Sequence, residues 1–260
     1  MLKLLTIGDV VGDCGVEFLV KKLPTFIKEN NIDFTVVNGE NALPGSGISL
    51  NITEDILNAG ADCVTLGNHA FNKKDVEKAF DRYPDRIIRP LNYDGSLEGE
   101  GYTVLDAKGY RIGVVNLLGR LYLSPINCPF LAMDKALDYL TDKTDIVIVD
   151  FHAEATSEKK AFGYYVDGRV SAVFGTHTHT PTADEQVLPN GTGFITDIGM
   201  TGATDSVLGL KKEISIGRIV HHKRSRFDWA DTNPAMMGAI FTVDESTGKC
   251  HSVERIKVTE

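Results

Sequence analysis

Asp9, Glu40, Asn68, His152, His177 and His179 each stand at or just past the end of an apolar, strand-like run, and between them they offer carboxylate, amide and imidazole donors. Open α/β sheets carry their chemistry at the carboxyl ends of strands, so five separate segments can converge on one sheet edge. Nitrogen and oxygen donors without thiolate suit Mn, Fe, Zn, Co or Ni, and this many exceed what one catalytic metal usually takes from protein. A pair of metals follows. Such a pair activates water, clamps a phosphoryl oxygen and needs a carboxylate able to bridge. Asp9 and Glu40, each beside a glycine, are the acids available for bridging or anchoring. In an extended strand the i, i+2 spacing of His177-Thr178-His179 turns both imidazoles to one side, one for each metal.

The elements that must position these groups alternate in type. Leu4–Ile7, Phe34–Val37, Cys63–Leu66, Ile146–Val149 and Val170–Phe174 read as strands. Between the first three, residues 17–29 read as a helix that Pro24 must kink or confine to the first turn of a shorter one. Thr53 reads as the N-cap of a helix over 54–58, and 72–80 supplies another short helix. The second half adds three hairpins, 102–106 with 110–117, 185–188 with 193–196, and 239–243 with 251–258. Parallel units mixed with hairpins predict an α/β sandwich of two central mixed β-sheets flanked by helices. With no linker between composition regimes, residues 1–260 read as a single domain.

Composition narrows the function classes. The chain has 27 basic and 36 acidic residues, a net charge of −9 spread along its length, so stable nucleic-acid binding is not expected. The basic cluster His221–Arg226 is read as solvated surface. No uncharged apolar run is long enough for a membrane span, and Met1–Val11 lacks the organisation of a signal peptide. Cys14, Cys63, Cys128 and Cys250 lie far apart, with no Cys-x-x-Cys pair, which fits neither a disulfide framework nor a thiolate zinc site and suggests a cytoplasmic protein. Gly8, Gly12 and Gly15 do not follow the Gly-x-Gly-x-x-Gly order of a dinucleotide loop. The 43–49 loop is equally a phosphate-facing loop or an ordinary connection, and 201–206 is placed beside the cleft without assigned roles.

In order and spacing, Gly8-Asp9, Glu40, Gly67-Asn68-His69, His152 and Gly175-Thr176-His177-Thr178-His179 resemble the motifs of the calcineurin-like metallophosphoesterases. Three longer stretches, Gly39–Ala42, His152–Lys159 and Thr196–Gly202, resemble the bacterial YmdB-like branch. Val11 stands where the wider superfamily has a histidine, and Glu40 where it has a bridging aspartate. The resemblance implies that Asn41 completes one metal site with Asp9, Glu40 and His179, and that Glu40, Asn68, His152 and His177 form the other. It implies two divalent or mixed-valence ions per chain, Fe or Mn first, with Zn, Co or Ni compatible. It further implies hydrolysis of phosphodiesters such as 2′,3′-cyclic nucleotides by metal-activated hydroxide, with His69 as general acid. A phosphomonoesterase or nucleotidase, a regulatory nucleotide or metal sensor, and a homo-oligomeric assembly remain open readings.

Overall fold

The computed structural model describes residues 1–226 and 228–260. Its first half runs β1 (Leu2–Ile7), β2 (Asp9–Val10), α1 (Gly12–Asn30), β3 (Phe34–Asn38), α2 (Leu50–Asn58), β4 (Cys63–Thr65), α3 (Val76–Arg82) and β5 (Ile87–Ile88). The chain continues through β6 (Tyr102–Ala107), β7 (Tyr110–Leu118), α4 (Pro129–Leu140), β8 (Ile146–His152), α5 (Thr156–Tyr165), β9 (Ala172–Thr176), β10 (Gln186–Val187) and β11 (Gly193–Ile195). It ends with β12 (Met200–Ala203), α6 (Lys212–His221), β13 (Pro234–Val243) and β14 (Cys250–Val258).

These strands form the two mixed sheets that the alternation predicts. One sheet has the order β2-β12-β13-β1-β3-β4-β5, with β14 also on β13, and the other has the order β10-β11-β9-β8-β7-β6. Within the first, β1, β3, β4 and β5 are parallel and β13 is antiparallel to β1. Within the second, β7, β8, β9 and β11 are parallel, with β6 and β10 as antiparallel edges. All three expected hairpins are present.

The central strands are apolar on both faces because both faces are covered. Leu4, Phe34, Val36 and Phe241 of one sheet pack between the layers against Ile112, Val114, Ile148 and Phe174 of the other. Their neighbours in sequence point the opposite way, as period-two alternation requires. Leu5, Ile7 and Val37 meet Phe18, Leu19 and Leu23 of α1 and Ile56 of α2. Val147, Val149 and Phe151 meet Met133 and Leu140 of α4 and Phe162 of α5. Each such buried side chain contributes about 1.5–3 kcal/mol.

Three helix boundaries differ from expectation. α1 starts at Gly12 and runs continuously through Pro24. The carbonyl that Pro24 cannot reach belongs to Val20, an exposed residue, so water can satisfy it. Ser49, not Thr53, caps α2, its hydroxyl accepting from the Ile52 amide at 3.3 Å; Thr53 lies inside the helix and donates to the Ser49 carbonyl at 2.9 Å. α3 begins at Val76, because 72–75 is drawn into turns and Asp75 accepts from the Leu50 amide at 3.0 Å. All four cysteines are free, and no described helix is long and apolar enough to cross a membrane.

Candidate metal centre

β1, β3 and β4 of one sheet and β8 and β9 of the other point their carboxyl ends toward one edge of the sandwich. Asp9 follows β1, Glu40 follows β3, Asn68 follows β4, His152 closes β8 and His177 follows β9. Donor atoms of Glu40, His152 and His177 all lie within 4.8 Å of one another. His152 Nε2 is 3.1 Å from Glu40 Oε1, 3.0 Å from Asn68 Oδ1 and 3.0 Å from His177 Nδ1. Beside them, Asn41 Nδ2 lies 3.0 Å from Glu40 Oε1 and 3.2 Å from His179 Nε2, which is 3.7 Å from Asp9 Oδ1. Metal ligation by Asn41 through Oδ1 needs a half-turn of this amide. All seven expected donors are therefore neighbours, with Glu40 in contact with both groups.

Hydrogen bonds on the far sides of the rings aim the inward nitrogens. His179 donates from Nδ1 to the Leu208 carbonyl at 3.0 Å, which turns Nε2 toward Asn41 and Asp9. His152 donates from Nδ1 to Thr176 Oγ1 at 2.8 Å, and Thr176 donates to Asp150 Oδ1 at 2.7 Å. His177 Nε2 faces Glu154 Oε2 at 3.1 Å, which leaves Nδ1 for the cluster. Such outer partners fix the tautomer and orientation of metal-binding imidazoles.

The residues present fit metal ions. Asp9 Oδ1 is buried without a hydrogen-bond partner, an arrangement that costs free energy unless a cation or donor reaches it. Several lone pairs converge, and every donor is nitrogen or oxygen. Gly67 allows the close approach, since a Cβ there would lie 2.4 Å from both Glu40 Oε2 and His152 Nε2.

Proton affinities follow from the same crowding. Burial pushes the Glu40 carboxyl upward, but His152 and His69 beside it hold it at about 2. Burial opposes charge on His152, yet Glu40, Asp9 and Asp150 carry its pKa up to about 9. Burial and the neighbouring His152 push His177 down to about 3. Burial raises Asp9 against the pull of His179 and His152. Without metal, His152 thus carries the compensating positive charge.

The His177-Thr178-His179 segment corrects one expectation. β9 ends at Thr176, and His177 and His179 have φ of +97° and +61°, so they do not continue an extended strand. A left-handed backbone is uncommon for such residues and must be held by its surroundings. The holding pair is Lys159 and Asp197, each 1% exposed. Lys159 Nζ donates at 2.7 Å to Asp197 Oδ2 and at 2.7 Å to the Thr176 carbonyl. Asp197 Oδ2 also accepts from the Thr178 amide at 3.2 Å and its hydroxyl at 2.8 Å. Both residues belong to motifs already quoted, but no spacing rule gives them this task.

Asp150, inside β8, is a second residue whose task no spacing rule gives. Fully buried, it accepts from Asn38 Nδ2 at 3.0 Å and Thr65 Oγ1 at 2.5 Å, tying β3 and β4 to β8 under the site. Burial lifts its carboxyl to about 6 against these hydrogen bonds and His152.

A cleft of about 680 Å³ opens over the cluster, lined by Glu40, Asn41, His69, His177 and His179 and extending to Leu208, Leu210 and Trp229. His69 sits in its wall, its Nε2 3.2 Å from Asn68 Nδ2 and its Nδ1 2.8 Å from Asn72 Nδ2. Gly45 and Ser46 of the 43–49 loop line the same cleft, but the amides of Ser46 and Gly47 are used within the loop, on the Leu43 and Glu40 carbonyls. Residues 201–203 form buried β12 instead of cleft wall, a role that passes to Leu208 and Leu210. The 221–226 cluster ends α6 and continues exposed, away from the cleft residues.

Comparison with known proteins extends these observations over the whole chain. A family model described as YmdB-like protein matches residues 5–256. A 2′,3′-cyclic-nucleotide 2′-phosphodiesterase from Bacillus subtilis is 40% identical over 259 residues, covering 100% of this chain and 98% of that protein. The crystal structure of a phosphatase from Mycoplasma pneumoniae matches with a TM-score of 0.92 at 35% identity, covering 99% of this chain and 93% of the other. A 5′-nucleotidase precursor from Thermus thermophilus shares the fold, with a TM-score of 0.61 at 14% identity over 99% of this chain and 54% of its own.

Proposed function

The chain belongs to the YmdB-like family, on a calcineurin-like metallophosphoesterase fold, and from that premise we propose that it is a metal-dependent phosphodiesterase acting on 2′,3′-cyclic nucleotides. The observation carrying this reading is the convergence of Glu40, His152 and His177 donor atoms within 4.8 Å, beside the partnerless Asp9 oxygen. Asp9, Glu40, Asn41 and His179 would hold one ion, and Glu40, Asn68, His152 and His177 a second, with Fe or Mn the expected metals. Bound ions at such a site supply positive charge to phosphoryl oxygens and make water more acidic.

The chain's own groups do the rest. The cleft receives the phosphodiester beside the donors, and Glu40 stays ionised across the physiological range. Water adds to phosphorus, one ester P–O bond breaks, and the freed sugar oxygen needs a proton. His69 in the cleft wall gives it, while Asn72 beside Nδ1 helps to hold the ring. Residues 1–260 act as one catalytic domain on small phosphodiesters in the reducing cytoplasm, without stable nucleic-acid binding.

The test is turnover of 2′,3′-cyclic AMP after metal loading, with the product identified and Glu40→Gln as control. A nucleoside monophosphate formed by the wild type alone supports the reading. The M. pneumoniae relative, described as a phosphatase, favours one competing outcome, release of inorganic phosphate from a monoester. Nucleotide binding without any turnover would instead make the chain a sensor.

A further inference from the structure

One wall of the cleft is apolar and has an uncommon backbone. Leu208 is 49% exposed with φ of +55°, a left-handed backbone that suits glycine or asparagine far better than leucine. Strain of this kind at a pocket points toward function. Leu210 pairs with Trp229 through an isolated antiparallel bridge, reinforced by the Ala230 amide on the Gly209 carbonyl at 2.8 Å. The Trp229 indole packs on the backbone at Gly12, where a Cβ would fall 3.1 Å from ring carbons Cγ and Cδ1, so the ring is held rigidly. The Leu208 carbonyl that accepts from His179 joins this wall directly to the candidate centre.

Resting on the phosphodiesterase reading, we infer that Leu208, Leu210 and Trp229 form a subsite for the nucleobase of the substrate. The ligand spans a phosphate end, rich in nitrogen and oxygen donors, and an apolar end with a fixed aromatic ring, the two lying in one cleft of about 680 Å³. A nucleotide has these two ends, with ribose as the spacer. Stacking on an indole accepts any base, so the subsite selects nucleotides over plain sugar phosphates while discriminating weakly among bases.

Trp229 is the chain's single tryptophan, so its fluorescence reports on the subsite directly. Titrating the metal-loaded protein with 3′-AMP should quench that emission, whereas ribose 3-phosphate should not. The kinetic arm compares 2′,3′-cyclic AMP with ribose 2′,3′-cyclic phosphate. Wild type should favour the nucleotide in kcat/KM by roughly 10–100-fold. Trp229→Ala should bring the ratio toward one, Trp229→Phe should keep most of it, and Leu208→Asn, which the left-handed backbone tolerates, should lower it part way. Equal rates on both substrates, or 3′-AMP that inhibits without changing the emission, would overturn the subsite and leave the phosphodiesterase standing. Hydrolysis of neither substrate would overturn both.

Discussion

Glu40 lies within hydrogen-bond distance of both donor groups, 3.0 Å from Asn41 and 3.1 Å from His152, and its replacement is the sharpest test at the scale of a residue. Glu40→Gln keeps the size and removes the charge that balances a cation, so bound metal and cyclic-nucleotide hydrolysis should fall together, with the fold intact by circular dichroism. A variant that retains full metal content and near-normal turnover would contradict the bridging role. His69 separates from the ligands by its chemistry. His69→Ala should keep the metals but slow 2′,3′-cyclic nucleotides by roughly 10²–10⁴-fold, because a poor leaving oxygen needs a proton. Bis-p-nitrophenyl phosphate, whose leaving group needs less help, should lose less in single-turnover rates. Equal losses on both would move His69 to a phosphate-positioning role. His152 gives a pH prediction. Its pKa of about 9 means that the metal-free site holds a proton there at pH 7.5, whereas Glu40 at about 2 and His177 at about 3 hold none. Metal loading at pH 7.5 should release about one proton from His152, and affinity should weaken as pH falls. Calorimetry in two buffers of different ionisation enthalpy measures this release, which should vanish above about pH 9. No release at pH 7.5 would show that His152 is already neutral.

At the scale of elements, the sequence was most legible where one local rule decides the outcome. Five apolar runs followed by Asp9, Glu40, Asn68, His152 and His177 foretell the edge at which these residues meet, because strand direction alone puts them there. The hairpins were legible for the same reason, alternation broken by turn residues. α1 was misjudged at Pro24 because a missing hydrogen bond matters little where Val20 faces water. The His177-Thr178-His179 turn departs from the extended reading because its shape depends on Lys159 and Asp197, which lie 17 and 19 residues from the groups of the turn that they hold. That dependence is testable. Lys159→Met leaves the Asp197 carboxylate buried without its cation, an arrangement that costs about 3–5 kcal/mol. Denaturant unfolding should show the loss, and the metal affinity of the folded fraction should fall as the turn loosens. Stability within about 1 kcal/mol of wild type, with unchanged affinity, would deny the pair its holding role.

At the scale of the molecule, the sandwich lets two sheets contribute to one site, and Asp150 couples them beneath it through Asn38 and Thr65. Neither sheet holds a complete donor set: Asp9, Glu40, Asn41 and Asn68 come from one, His152, His177 and His179 from the other. Metal binding should therefore stabilise the packing of the layers and raise the melting temperature with metal concentration, as any ligand confined to the folded state does. The most direct measurement of the central claim is a metal titration of chelator-stripped protein, following bound metal per chain and 2′,3′-cyclic AMP hydrolysis on the same sample. Activity should be absent in the stripped protein and should return in step with loading, reaching its plateau at two equivalents. Full activity in protein shown to be free of metal, or a plateau at one equivalent, would contradict the dinuclear account.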